Sequence, residues 1–158
     1  MVSDMTGFND CYTCDRETDL VVQVKLPVRE DIVHDEHWRL VHATGVSLPG
    51  WLVLVPRRHV TAIAELTDAE AASLGAWQVR ASRALHEVTG CAKTYIAQFA
   101  EAEGYSHVHF HIVPRKANLA DELTGPRIFG LLGATGPAAL TDERMDEIAN
   151  AIRGALEH

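Results

Sequence analysis

The chain has only three cysteines in 158 residues. So small and odd a set does not build a disulfide scaffold, and reduced thiols or metal ligands are expected. Cations are also scarce: 14 Lys and Arg face 22 Asp and Glu, a formal charge of −8. This argues against a broad grip on nucleic acid, which depends on clustered Lys and Arg, although one small phosphate ligand would need only a local positive spot. No apolar run approaches the roughly 18 residues of a membrane span, and the polar N-terminus lacks a signal-peptide core. The expected location is therefore the cytoplasm, with no membrane partner. Repeats and low-complexity tracts are absent. With 47 % hydrophobic residues, the chain can bury one core but not two comfortably, so residues 1–158 are read as a single domain.

Apolar patterning divides that domain into elements. Ile32 to His34 and His37 to His42 are β-branched and aromatic runs about a turn at Asp35-Glu36, which predicts a hairpin. Pro49-Gly50 is a turn signal, and the near-continuous apolar run Trp51 to Val55, stopped by Pro56, predicts a central strand. Thr67 and Glu70 have the spacing of a capping box. Leu74, Trp77, Ala81, Leu85 and Val88 then form one helical stripe that ends before Gly90. Lys93 to Phe99 predicts a strand, turned back by the polar stretch Glu101 to Ser106. A final amphipathic helix starts near Thr141, with Met145, Ile148, Ile152 and Leu156 on one side. Lys116 to Pro137, with its Gly-Pro pairs, predicts irregular chain. Asp15 to Asp19 reads as a polar turn and Leu20 to Leu26 as extended. The fold class is α+β: an antiparallel sheet of about five strands, a main helix packed on it and a C-terminal helix.

The chemistry lies in His107-Val108-His109-Phe110-His111-Ile112-Val113, followed by Pro114-Arg115. In an extended chain alternate side chains share a face, so three imidazoles repeat at roughly 6.6–6.8 Å while Val108, Phe110 and Ile112 anchor the other face. With an unperturbed pKa near 6.5, neutral imidazole is available to attack phosphorus, bind metal or move protons. Alternating histidines also serve as metal triads in metallohydrolases. Cys11-Tyr12-Thr13-Cys14 is either half of a tetrahedral zinc site or a redox dithiol. The redox reading would require a βαβ context and a helix beginning at the first cysteine. Cys91 is most simply a small buried residue.

His-φ-His-φ-His-φ-φ followed by Pro-Arg, the segment Gly50 to Val60 with its Val-Pro-Arg-Arg-His, and the Cys pair together resemble the histidine-triad (HIT) superfamily. The resemblance covers about residues 11–115, leaving 116–158 as a C-terminal loop and helix. It implies a HIT-like fold, a homodimer and a small nucleotide substrate. It also implies structural Zn2+ held by Cys11, Cys14, His59 and His107, with no metal needed at the phosphate. His109 would be the catalytic nucleophile, attacking an α-phosphorus to give a nucleotidyl-histidine that water then releases. A backbone carbonyl near His107 would fix its tautomer. His111 would bind the phosphoryl oxygens as a second catalytic and substrate-binding group. Gln98 would contact ribose or phosphate, Ser106 would add a donor, and Phe129 or Leu131 would help close the site or contact a second subunit.

The chain departs from the family's commonest pattern at three places. Glu103 stands where a loop Gln is usual and the Gly-Gln pair is missing. The ribose-binding Asp has no match, His42 and Thr44 lying closest. Gly50-Trp51 replaces a frequent Gly-His. The expected function is a nucleotidyl hydrolase or transferase acting on nucleoside phosphoramidates or dinucleoside polyphosphates. Two alternatives stay open: a non-catalytic, zinc-stabilised nucleotide-binding module, and a metallohydrolase that uses all three histidines as ligands.

Overall fold

A computed structural model describes residues 10–158, so the polar N-terminus read above lies outside the described residues. Five strands form one antiparallel sheet in the order β1-β2-β3-β5-β4. They are β1 (Val33–His34), β2 (Trp38–His42), β3 (Leu52–Pro56), β4 (Lys93–Ala97) and β5 (Phe110–Arg115). The expected apolar strand is β3, and it is central. Asp35 closes the first hairpin by accepting the N–H groups of His37 and Trp38 at 2.8 Å, the local turn chemistry that favours Asp there.

Strand alternation gives the sheet two unlike faces. Trp38, Leu40, Leu52, Leu54, Phe110 and Ile112 point to one face and join a single buried cluster. The main helix α2 (Asp68–Thr89) covers it with Trp77, Ala81, Ala84 and Leu85. Thr67 and Glu70 form the expected capping box, and Gly90 ends the helix at φ +66°, the left-handed conformation that glycine adopts without penalty. Helix α3 (Asp142–Leu156), capped by Thr141, adds Ile148, Ala149 and Ile152 to the same core. Cys91 is buried there too.

The opposite face carries Arg39, Val41, Val53, Val55 and His111, as the register Arg39↔Val55, Val41↔Val53↔His111 requires. Residues 116–140 cross part of it in three short 3-10 turns, packing Ile128 and Phe129 against Trp51 and Val113. Gly50 lets the chain enter β3 close to α2. A Cβ there would meet Thr89 at 3.1 Å and Leu85 at 3.2 Å, at a backbone φ of +87°.

Two local expectations are corrected. The segment read as a polar turn and an extended run is helix α1 (Tyr12–Val21), with Cys11 as its N-cap and Gln23 at φ +62° just after its end. Its polar residues hold it in place, through ion pairs of Glu17 with Arg57 and Arg39, so it lacks the apolar stripe that periodicity detects. The histidine segment joins the ladder only from Phe110, leaving His107 to His109 as extended chain leading into β5. Among the described residues no helix is long and apolar enough to cross a membrane.

Candidate functional site

The histidine segment serves two places. His107 is not part of the cavity wall and meets the start of α1, where Cys11, Cys14, His59 and His107 bring one ligand atom each to within 4.8 Å of one another. The tightest separations are 3.1 Å from Cys14 Sγ to His59 Nδ1, 3.2 Å between the two Nδ1 atoms, and 3.6 Å from each sulfur to His107 Nδ1. A tetrahedron with metal–sulfur bonds near 2.3 Å and metal–nitrogen bonds near 2.0–2.1 Å has edges of roughly 3.3–3.8 Å, so the donor set fits such an ion. His107 Nε2–H donates to the Pro56 carbonyl at 2.7 Å, which leaves Nδ1 as the ligand atom and orients the ring. The helix that a redox dithiol would want does begin at Cys11, but the two imidazoles beside the sulfurs complete a ligand set instead.

His109 and His111 face a cavity of about 600 Å³ on the open side of the sheet. Their rings lie edge to face with centroids 4.9 Å apart. His109 Nδ1–H donates to the carbonyl of His107 at 2.8 Å, which leaves the Nε2 lone pair free. The same residue therefore joins the Cys/His cluster through its ring and sets the His109 tautomer through its backbone.

His111 is fixed from the other side. The indole N–H of Trp51 donates to His111 Nδ1 at 2.9 Å, so Nε2 carries the ring proton as a hydrogen-bond donor. Burial, followed by the neighbouring His109, pushes the His111 pKa down to about 4. His111 is thus a neutral donor at physiological pH. Phe129 stacks edge-on against both His111 (5.0 Å) and Trp51 (5.3 Å) and lines the cavity, as does Leu132. Leu131 instead packs in the apolar cluster beneath.

Two sequence-read residues are not brought to this cavity. Gln98 follows the end of β4, with its Oε1 buried and without a hydrogen-bond partner among the described residues. Ser106 is exposed on the loop before His107. Neither belongs to the cavity wall, nor does Glu103, whereas Glu101 contributes to it. His42 and Thr44 do line it. His42 is committed to structure, accepting from Gly50 N–H at 3.0 Å and donating to the Ala43 carbonyl at 2.7 Å.

Three wall residues, Tyr12, Glu30 and Arg39, were given no role by the sequence reading, and Trp51 entered it only as a departure from the family pattern. Arg39 carried a usable signal, a cation set between the apolar Trp38 and Leu40. Its side chain is 2 % exposed. Trp51 carried one also, since it stands where the family often has a histidine.

Comparison with known proteins agrees with this geometry. A zinc-bound histidine triad family protein from Mycobacterium smegmatis superposes with a TM-score of 0.65 at 19 % identity, over 93 % of this chain and 95 % of that one. A histidine triad protein from Bradyrhizobium japonicum gives 0.65 at 28 % identity, over 80 % and 89 %. Diadenosine triphosphate hydrolase from Plasmodium falciparum gives 0.62 at 20 % identity, over 82 % and 77 %. No curated protein sequence matches significantly. The HIT domain profile matches residues 29–118, more than half of the chain and the whole span from the first hairpin to the end of the histidine strand, and the chain therefore belongs to the HIT domain family.

Proposed function

We propose that the protein is a nucleotidyl hydrolase or transferase that uses His109 as its nucleophile on nucleoside phosphoramidates or dinucleoside polyphosphates. The observation that carries this reading is the bond from His109 Nδ1–H to the His107 carbonyl, which presents an unprotonated Nε2 to the cavity. In the first step the Nε2 lone pair forms an N–P bond to the α-phosphorus while the bond to the leaving group breaks. A departing amine takes its proton from solvent, and a departing phosphate leaves as the anion. Nε2–H of His111 donates to a phosphoryl oxygen where negative charge gathers. In the second step water attacks phosphorus, the N–P bond breaks, and a nucleoside monophosphate leaves with His109 restored. The relatives that bind zinc or hydrolyse diadenosine triphosphate support the class of chemistry.

Zinc in the cluster of Cys11, Cys14, His59 and His107 would be structural, tying α1 to the segment that presents His109. The direction of His107 disfavours a shared metal on all three triad histidines, because its ring engages the cysteines while His109 uses Nδ1 on the His107 backbone.

The test is turnover of nucleoside phosphoramidates and dinucleoside polyphosphates by wild type and His109→Ala, with and without a mild chelator. Release of nucleoside monophosphate that resists the chelator and vanishes in the variant is expected. Turnover that survives His109→Ala would overturn the reading, and immediate loss with chelator would favour a catalytic metal. Nucleotide binding with no turnover would favour the binding module.

A further inference from the structure

His109 and His111 explain one end of the cavity and leave the other, charged end without a role. Glu30 and Arg39 are 6 % and 2 % exposed, yet both contribute to the cavity wall. Buried charges are costly unless paired, so their partners show which atoms remain for a ligand. Arg39 is turned mainly toward the protein, although its Nε has no hydrogen-bond partner among the described residues. Nη1 donates to the Glu30 carbonyl (2.5 Å), Nη2 to the Thr13 carbonyl (3.3 Å), and Nε faces the Glu17 carboxylate at 3.5 Å. Glu30 is only half used: Oε1 accepts the Tyr12 hydroxyl proton, and no hydrogen bond to Oε2 is found among the described residues. An ionised carboxylate offers about four lone-pair sites and no donor. The Glu30 carboxylate is thus an acceptor-only group with spare capacity in the cavity wall.

Sheet register sets its relation to the chemistry. Arg39 pairs with Val55, and the β3–β5 register continued one step past the ladder places His109 on the other side of Val55. Two strand spacings, about 10 Å, separate the backbones of His109 and Arg39. A ribose and a base together can fill that gap. The floor between is Val41, Val53 and Val55, apolar surface suited to the face of a ring. The ring edge then meets Glu30. Guanine presents two adjacent donors there, N1–H and the N2 amino group, and can satisfy both carboxylate oxygens. Hypoxanthine keeps only N1–H, and adenine turns the N1 lone pair toward a group that has only lone pairs.

We propose that Glu30 is a specificity-determining residue that selects guanine nucleotides. This rests on the nucleotidyl reading above for the role of the cavity, and it goes further by naming the base. Sites built to bond a substrate N–H discriminate strongly against analogues that lack it, because the buried group is left unpaired.

The experiment measures kcat/KM of wild type for guanosine, inosine and adenosine 5′-phosphoramidates that share one leaving amine, together with equilibrium binding of GMP, IMP and AMP. Expected is the order guanosine, inosine, adenosine, with a guanosine-to-adenosine ratio of about 5- to 150-fold. The difference should lie in KM rather than kcat, because base contacts are the same in ground and transition states. Glu30→Gln removes one acceptor oxygen and should collapse the ratio. Equal kcat/KM and equal binding across the three bases would overturn the proposal, as would a guanosine preference that survives Glu30→Gln. The wild-type series decides the matter even where the variant folds poorly. Absence of turnover with ordered binding would overturn the nucleotidyl reading and keep the base assignment; turnover with no base preference would do the reverse.

Discussion

The two faces of the sheet are built by the same strands and behave as different materials. On the helix-covered face Leu40, Leu52, Leu54, Phe110 and Ile112 meet α2 and α3 in a core without a charged side chain. On the open face, one residue along each strand, stand Arg39, Val41, Val53, Val55 and His111. The first face holds the backbone in register, and the second displays chemistry on a scaffold already held. The alternation that makes the core is the same one that aligns the imidazoles, so the face that stabilises and the face that carries His109 and His111 can be perturbed separately.

The largest expected separation is at β5. His109→Ala should lower turnover by about a thousandfold or more if His109 is the nucleophile. Its melting temperature should stay near wild type, since His109 is only partly buried. Single-turnover assays and thermal unfolding on one preparation would show both. A variant that unfolds early would mean that the open face also carries the fold.

Adjacent residues of β3 sharpen the comparison. Leu54 is fully buried beneath α2, and Leu54→Ala should cost about 2–5 kcal/mol with little change in nucleotide KM. Val53 lines the cavity, and Val53→Ala should cost less than about 2 kcal/mol while raising KM. Urea unfolding and steady-state kinetics on the pair would break the two-face account if Leu54→Ala changed KM as much as its neighbour.

Acid should also act through the open face. Burial lowers the folded-state pKa of His111 to about 4 from an ordinary value of 6.5, so the unfolded chain takes up this proton first as pH falls. The stability that His111 contributes is therefore complete above about pH 6.5 and is lost progressively down to about pH 4, by roughly 1–3 kcal/mol. Unfolding free energies from pH 7 to 4 should fall more steeply in wild type than in His111→Gln. Equal slopes would show that His111 titrates normally in the folded protein.

What was readable in the sequence follows from the physics of each signal. Strand β5 and helix α2 declared themselves through the period of their patterning, β2 through its β-branched and aromatic residues and β3 through an unbroken apolar run buried at every position, and Thr67, Glu70 and Gly90 marked the ends of α2 through local hydrogen bonding and backbone conformation. Helix α1 did not, because Glu17 and Arg57 hold it by long-range charge pairing and Cys11 and Cys14 carry no periodicity. The histidines were legible as chemistry from their alternation. Tyr12, Glu30 and Arg39 were not, because they meet only when α1, the turn at Val28–Glu30 and β2 come together. Gln98 and Ser106 were carried over by position, yet the shape of the loop from Phe99 to Ser106, with Ala100 at φ +56°, leaves both off the cavity wall.

The smallest expected effect isolates a single proton. Trp51→Phe keeps an aromatic ring against Phe129 but removes the N–H that Trp51 gives to His111 Nδ1. A buried acceptor then loses its donor, at a cost of about 1–3 kcal/mol when nothing replaces it. The imidazole can relieve this by moving its proton to Nδ1, which withdraws the Nε2–H donor from the cavity, or by taking up a second one, which keeps Nε2–H but places a cation against His109. If the indole serves the chemistry through tautomer control, kcat should drop about tenfold, KM should change little, and the acid limb of the pH–rate profile should move upward as His111 becomes easier to protonate. If the indole only fills space, kcat and the acid limb should both stay at their wild-type values, and the boundary between the two faces would then run below Trp51.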